Sequence, residues 1–269
     1  MYDPHVLLRG VDDHVVPFLV LSAISFAGLI VWYYEAITVA ERDRSFSMPP
    51  VITMVWLAHD ATLVAHFSDW FGGPYDHWLM KLYWVAMIAT SAVEVVFVVQ
   101  LLRFGRQELA PSLTQAGFTA AVLAAQVATI VIWLALKRII ADDLFQVTFA
   151  LTAAMFPPFG MSLLLRRGTR QGQTVPMWVG FTIAPAGWFA ASIIAFGPPF
   201  RSALWILLGV VTTAWGAVTT VLVARAPAGE AQGTRRPDGS TWDEPRRASG
   251  SSGDGQAYVV PAPQKPSVR

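Results

Sequence analysis

The chain contains no cysteine. Disulfides, thiolate nucleophiles and cysteine-ligated zinc or iron–sulfur centres are therefore excluded, while the compartment stays open. Charge is scarce as well: 14% of the 269 residues are Asp, Glu, Lys or Arg, against 54% hydrophobic, and the formal net charge is +1. That balance gives no reason to expect nucleic acid as a partner. The sequence has no P-loop, GxSxG or HExxH, so the phosphate cradle, the nucleophile elbow and the zincin helix are missing. There is no DxDD run and no pair of Asp-rich motifs to hold magnesium diphosphate. The last apolar segment has no lysine, which removes the usual position of a retinal Schiff base. Charged pairs spaced along several segments, expected of an ion carrier, are also lacking. Only three residues are lysine while Arg and Ala are abundant, a composition that suggests a GC-rich bacterial gene.

What is present is apolar length. Seven segments follow one another: about Val15–Ala36, Pro50–Phe67, Trp78–Leu102, Thr114–Leu136, Leu144–Leu165, Val175–Phe196 and Ala203–Val223. A helix rises 1.5 Å per residue, so about 20 apolar residues cross the ~30 Å hydrocarbon core. The expected fold is an all-α bundle of seven transmembrane helices over residues 1–225, with short loops making sequential helices antiparallel. Pro157, Pro158 and Pro185 predict kinks. Arg9, Asp12 and Asp13 precede the first segment, and no small-residue cleavage site follows it, so a retained helix is expected rather than a signal peptide.

Arg42, Arg44, Arg103, Arg106, Arg166, Arg167, Arg170 and Arg225 fall on one side, and Arg9, Lys137, Arg138 and Arg201 on the other, with Lys81 just inside a helix. The positive-inside rule then puts the N-terminus outside and the C-terminus in the cytoplasm, in a bacterial cytoplasmic membrane. From Ala226 the composition turns to Gly, Pro, Ser and charge, and residues 226–269 read as a disordered cytoplasmic tail.

One carboxylate interrupts the second segment. Asp60 is near its centre, where an ionised acid costs on the order of 3 kcal/mol, so such residues face a bundle interior and usually serve a site. Burial favours the neutral form of a carboxyl group, which makes Asp60 an expected proton donor. Glu94, on the third segment, falls at a similar depth of ~14–15 Å from the arginine-rich side. Gln126 on the fourth segment and Thr212 and Thr213 on the seventh share that layer. Two carboxyls in one cavity would hold a proton between them.

Trp188 and Trp215 are near mid-depth, and Trp56 is one turn from Asp60 on the same face. Aromatic faces attract cations, so walls of this kind suit a carbocation or a quaternary ammonium; ordinary helix packing is the competing reading. Trp70, Trp78, Trp133 and Trp205 stand near segment ends and read as interfacial belts. His14, His66 and His77 cluster with Asp12, Asp13, Asp69 and Asp76, which a hydrated acidic face explains more cheaply than a metal; no metal or cofactor is expected. Asp142 and Asp143 read as a loop acid pair able to cap the fifth segment. His59 is rotated about 100° from Asp60 and reads as a satisfied polar group or a partner behind the acid.

Seven segments, a first loop ending Arg44-Ser-Phe-Ser-Met-Pro49, and an acid twelve residues after Met48 resemble the integral-membrane terpene cyclases of meroterpenoid and indole-diterpene pathways, the paxilline and pyripyropene type. The loop Arg167-Gly-Thr-Arg-Gln-Gly172, with Trp178 six residues later, is similar to that family's R-G-S-T-R-G loop and following Trp. The likeness spans about Ala40–Val223. The family has Glu where Asp60 stands and Trp where His59 stands, and its second acid, in the last helix, falls at or near Thr212, where no carboxylate exists. Glu94 is the replacement expected here. The resemblance implies protonation of a prenyl chain at a terminal alkene or epoxide, cationic ring closure and proton loss. Asp60 and Glu94 are the expected catalytic pair, with Trp56, His59, Gln126, Trp178, Trp188, Thr212 and Trp215 around the substrate. That substrate is a lipophilic prenylated aromatic, indole or peptide-derived molecule drawn from the bilayer, with a pathway prenyltransferase or epoxidase as neighbouring protein. A seven-helix sensor or proton-coupled carrier, and a non-catalytic assembly protein, are the readings from other classes.

Overall fold

The computed structural model of the chain describes residues 2–229, so all but the first four residues of the expected tail lie outside them. Ten α-helices and one 3-10 turn make up this part: α1 Pro4–Asp13, α2 Val15–Asp43, α3 Pro50–Ala65, α4 Phe67–Trp70, α5 Trp78–Phe104, α6 Arg106–Leu109, α7 Gln115–Ile139, α8 Gln146–Arg167, α9 Val175–Ala195 and α10 Ala203–Arg225, with the turn at Pro198–Arg201. Six of them, α2, α5, α7, α8, α9 and α10, are long and apolar enough to cross a membrane. Their outward faces carry large apolar side chains such as Val131 (61% exposed) and Leu204 (80%). Water would not tolerate such faces and lipid does. The protein is an all-helical integral membrane protein over its described residues.

Each expected segment is helical, with two shifts. α2 runs on to Asp43, well past Ala36, until Arg44 in the left-handed conformation (φ 47°) ends it. α3 stops at Ala65, because the chain turns at His66, whose Nδ1–H donates to Thr62 O at 2.6 Å, into the short α4. At 16 residues α3 spans only ~24 Å, the shortest of the seven. α8 and α9 continue through Pro157, Pro158 and Pro185 without a break. α1 was not expected. It forms because Asp3 caps it, accepting from His5 N (2.8 Å) and Val6 N (3.3 Å), Pro4 opens the first turn, and Leu7, Leu8 and Val11 share one buried face.

α3 sits at the centre, in contact with α5, α7 and α8, while α2 packs along α9, α9 on α10, and α10 back on α8. The α2–α9 seam is close because both helices put small residues there. A Cβ on Gly28 would stand 2.7 Å from Gly180 O, and one on Gly180 would stand 2.7 Å from Gly28 O, so only glycine fits at this crossing. Ser25 Oγ adds a bond to Ala184 O at 2.7 Å. This is the small-residue packing that substitutes for a hydrophobic driving force between helices in lipid. Two of the expected belt tryptophans are core instead: Trp70 is fully buried, with Nε1 donating to Leu63 O (2.9 Å), and Trp133 is buried against His59. Trp78 is exposed.

At the arginine-rich end the two loops that carry the resemblance meet. Arg167 donates from its guanidinium to Phe46 O (3.1 Å), Gln171 O (2.7 Å) and Glu108 Oε2 (2.8 Å), and stacks over the Phe46 ring at 4.4 Å. Gly172 N donates to Asp43 Oδ2 at 2.9 Å, and its positive φ of 73° brings it so near Phe46 O that a side chain has no room. At the opposite end Asp142 caps α8, accepting from Gln146 N (3.0 Å) and Thr148 N (2.6 Å), as its place before the fifth segment suggests. It also accepts from Tyr2 OH at 2.6 Å, and burial with the neighbouring Asp142 charge pushes the Tyr2 phenol well above its ordinary range.

Gly180→Leu is expected to cost at least about 1–3 kcal/mol by overpacking the α2–α9 seam. A lower thermal midpoint of the detergent-solubilised protein, next to an unchanged one for the lipid-facing Val218→Leu, would bear this out.

Candidate functional site

Between α2, α3, α5, α8 and α9 lies a cavity of about 480 Å³ with an almost wholly apolar wall. That volume is in the ~300–1,000 Å³ range of small-molecule sites. Asp60 from α3 and Glu94 from α5 both line it. Their helices pack side by side, and both residues face the same cavity.

The two acids are held differently. Asp60 Oδ2 accepts from Thr90 Oγ1, and Oδ1 stands 2.6 Å from His59 Nδ1. The other ring nitrogen of His59 faces Phe145 O at 3.5 Å. A carbonyl can only accept, so Nε2 carries the hydrogen there, and Nδ1 meets Asp60 either as acceptor from a neutral carboxyl or as donor to a carboxylate. Both arrangements hold one proton between the two groups. The helical rotation that separates adjacent residues is bridged by the reach of the imidazole, and His59 becomes the partner behind the acid instead of part of the wall. Glu94, by contrast, leaves Oε2 buried with no hydrogen-bond partner among the described residues.

Around the acids the wall is aromatic. Trp56, held by Nε1 donating to Thr152 O (3.1 Å), and Trp188, whose Nε1 donates to Tyr83 OH (3.0 Å), both line the cavity as expected. Tyr33, Tyr83, Thr90, Phe149 and Phe181 line it too and were not singled out from sequence. The signals were there: Thr90 precedes Glu94 by four residues, hence shares its face, and Tyr33 and Tyr83 put polar tips into apolar runs.

Four expected contacts are elsewhere. Gln126 Nε2 donates to Met54 O at 3.0 Å, joining α7 to the far side of α3. Trp178 is fully buried, stacked on Phe156 at 4.8 Å with Nε1 donating to Gln173 Oε1 (3.0 Å), so it anchors the α8–α9 connection. Thr212 Oγ1 donates to Leu208 O within its own helix, and Trp215 Nε1 points at Met161 Sδ at 3.4 Å between α10 and α8. α10 contributes no lining residue to the cavity. At the α1 end, His14 bonds Gly10 O and His77 bonds Asp12, and no group of three or more His, Asp or Glu is placed to hold a metal among the described residues.

The unequal shells set opposite expectations for stability. Glu94→Met, which removes an unpartnered buried oxygen, is expected to stabilise the solubilised protein by about 1–3 kcal/mol. Asp60→Leu strands Thr90 and His59 and is expected to destabilise it by a similar amount; thermal denaturation of both variants tests the pair, and a destabilised Glu94→Met would show that Glu94 has a structural partner. The chain matches no protein-family model, no curated protein and no solved structure.

Proposed function

We propose that the chain is a membrane-embedded terpene cyclase that protonates the terminal alkene or epoxide of a prenylated aromatic, indole or peptide-derived substrate and guides cationic ring closure. In this reading the six long apolar helices and the shorter α3 together span the bilayer, with the N-terminus outside and the C-terminus in the cytoplasm, in a bacterial cytoplasmic membrane. The observation that carries the reading is the pairing of Asp60 and Glu94 at the inner end of one apolar, aromatic-walled cavity. Apart from His59, which shares a proton with Asp60, the cavity offers that acid few bases to compete with the substrate's own π bond or epoxide oxygen.

In this mechanism Asp60 gives its proton to the substrate, creating a tertiary cation, or opening the epoxide to an alcohol and a cation. Chain alkenes attack in turn, each forming a carbon–carbon bond and passing the charge along. The faces of Trp56, Tyr33 and Trp188 stabilise the travelling charge, each worth on the order of 0.5–2 kcal/mol. Glu94 takes the final proton from a carbon adjacent to the last cation, so the product is an isomer of the substrate. The proton then returns from Glu94 to Asp60 within the cavity they share, and His59 at Oδ1 holds it between turnovers. No diphosphate leaves, in keeping with the lack of a metal-binding motif in the sequence. The cavity wall excludes the water that would quench the cation.

Membranes containing the protein should convert farnesylated or geranylgeranylated indoles, phenols or dipeptides, with or without a terminal epoxide, into cyclised isomers of unchanged mass. Asp60→Asn is expected to lower turnover 10²–10⁴-fold, of the order that general acid catalysis supplies, with substrate still bound. His59→Phe, which occupies the family's aromatic position, should lower kcat, leave KM and shift the pH profile. Absence of any isomer from folded protein, together with proton-dependent uptake of a ligand into vesicles, would favour the carrier instead.

A further inference from the structure

α2 and α5 are tied at both ends and part in between. At the arginine-rich end Gln100 Nε2 donates to Ile37 O (3.2 Å) and Glu41 Oε1 (3.3 Å), and Arg103 pairs with the same Glu41 (3.3 Å). At the other end Phe18 meets the Trp78 ring edge-on at 6.4 Å. Trp78 Nε1 donates to Asp12 Oδ1 at 2.8 Å, with His77 Nε2 at 3.2 Å from the same carboxylate. These two bonds, that of Trp78 first, hold the Asp12 carboxyl below its ordinary range and tie the end of α1, just before α2, to the start of α5. Between the ties α2 leans on α9 and α5 on α3. Leu19 and Phe26 on α2, and Leu82 and Val85 on α5, line the cavity and yet are 41–58% exposed. Ala23 and Ala89 do the same with small side chains. Residues that both line a cavity and face the exterior mark its mouth, and this mouth opens on the lipid-facing surface.

The opposite direction is shut. Trp32 meets Trp56 at 4.6 Å, Phe156 at 4.8 Å and Phe181 at 5.5 Å, a plug of interlocked rings between the cavity and the arginine-rich end. Toward α1 the lining residues Phe18 and Leu79 are fully buried, with Phe18 against Phe196 at 5.9 Å, so whatever reaches Asp60 comes through the side. We propose that the cavity is loaded from the hydrocarbon, through the gap between α2 and α5, by a linear isoprenoid chain that slides in free end first and leaves its polar head at the mouth, in the half of the bilayer nearer α1. This rests on the reading of the cavity as the site of a lipophilic substrate. The occupant is a polyene and not a saturated acyl chain, because the inner end presents an acid and aromatic faces. Those groups act on an alkene and have nothing to offer a methyl terminus.

The test uses a farnesyl phenyl ether with a photoreactive diazirine near the free end of its chain, added to the full-length protein in detergent. Wild type is expected to be labelled on peptides carrying Trp56–Asp60 or Thr90–Glu94, with unlabelled farnesyl phenyl ether competing and phosphatidylcholine not. Ala23→Trp and Ala89→Trp, which fill the mouth, should each cut that labelling at least tenfold, while Val131→Trp and Val218→Trp on other lipid-facing surfaces leave it unchanged. Labelling of the mouth variants at the wild-type level, or equal competition by phosphatidylcholine, would overturn the proposal. Should a Trp variant fail to fold, the absence of cysteine permits Ala89→Cys to be plugged after folding with benzyl maleimide, and the same comparison applies. Labelling needs no turnover, so blocked labelling without cyclisation by wild type would sink the cyclase reading and leave sideways loading standing.

Discussion

A carboxyl group inside a bilayer has to be provided for, and the placement of α3 among its neighbours follows from that requirement. Asp60 can stay because both of its oxygens are engaged, one by Thr90 and one by His59, and because α5 packs close enough along α3 to bring Thr90 there. Glu94 is carried on the same stretch of α5 without equal provision for its outer oxygen. An orphaned oxygen in an apolar wall costs about 1–3 kcal/mol. Both acids are buried, and the pair divides into one whose oxygens are both engaged and one with an oxygen left over.

The two loops behind the family resemblance do no chemistry in this arrangement. They form a clasp. Arg167 reaches across to the loop after α2, and Gly172 lets the backbone close on Phe46, so the α2–α3 and α8–α9 connections are fixed to one another. Met48 is buried just before Pro50 starts α3, which sets the depth of Asp60 along the bundle. The motif thereby acts at a distance, by fixing how far the helix carrying the acid is pushed into the membrane. Trp178 belongs to the same clasp through Gln173, whose Nε2 donates to Gly160 O at 2.9 Å.

Much of this could be read from residue order. The helical segments are visible because each is apolar from end to end, and Asp60 and Glu94 because acids in such runs are conspicuous. Depth counting along antiparallel helices was enough to set them at one level. Rotation about the helix axis was not legible. In a membrane helix both lipid-facing and core-facing sides are apolar, so no hydrophobic stripe tells which way a residue points. Gln126, Thr212 and Trp215 were at the right depth and on the wrong side for this reason, and α10 lines no part of the cavity. Polar atoms within apolar runs, Tyr33, Tyr83 and Thr90, were better guides than depth. The end of α3 was hidden too, since a histidine turned back onto Thr62 carries no turn signature in sequence.

The glycine contact between α2 and α9 also decides which wall of the cavity is free to move. With backbone against backbone at Gly28 and Gly180, α2 and α9 behave as a single two-helix plate, carrying Trp32, Tyr33, Phe181 and Trp188 with fixed spacing. α5, which bears Thr90 and Glu94, has no such seam with α2 and packs on α3 instead. The cavity is thus built from two pairs, the α2–α9 plate and the α3–α5 pair that carries both acids, and it can widen along the seam between them without parting Asp60 from Thr90.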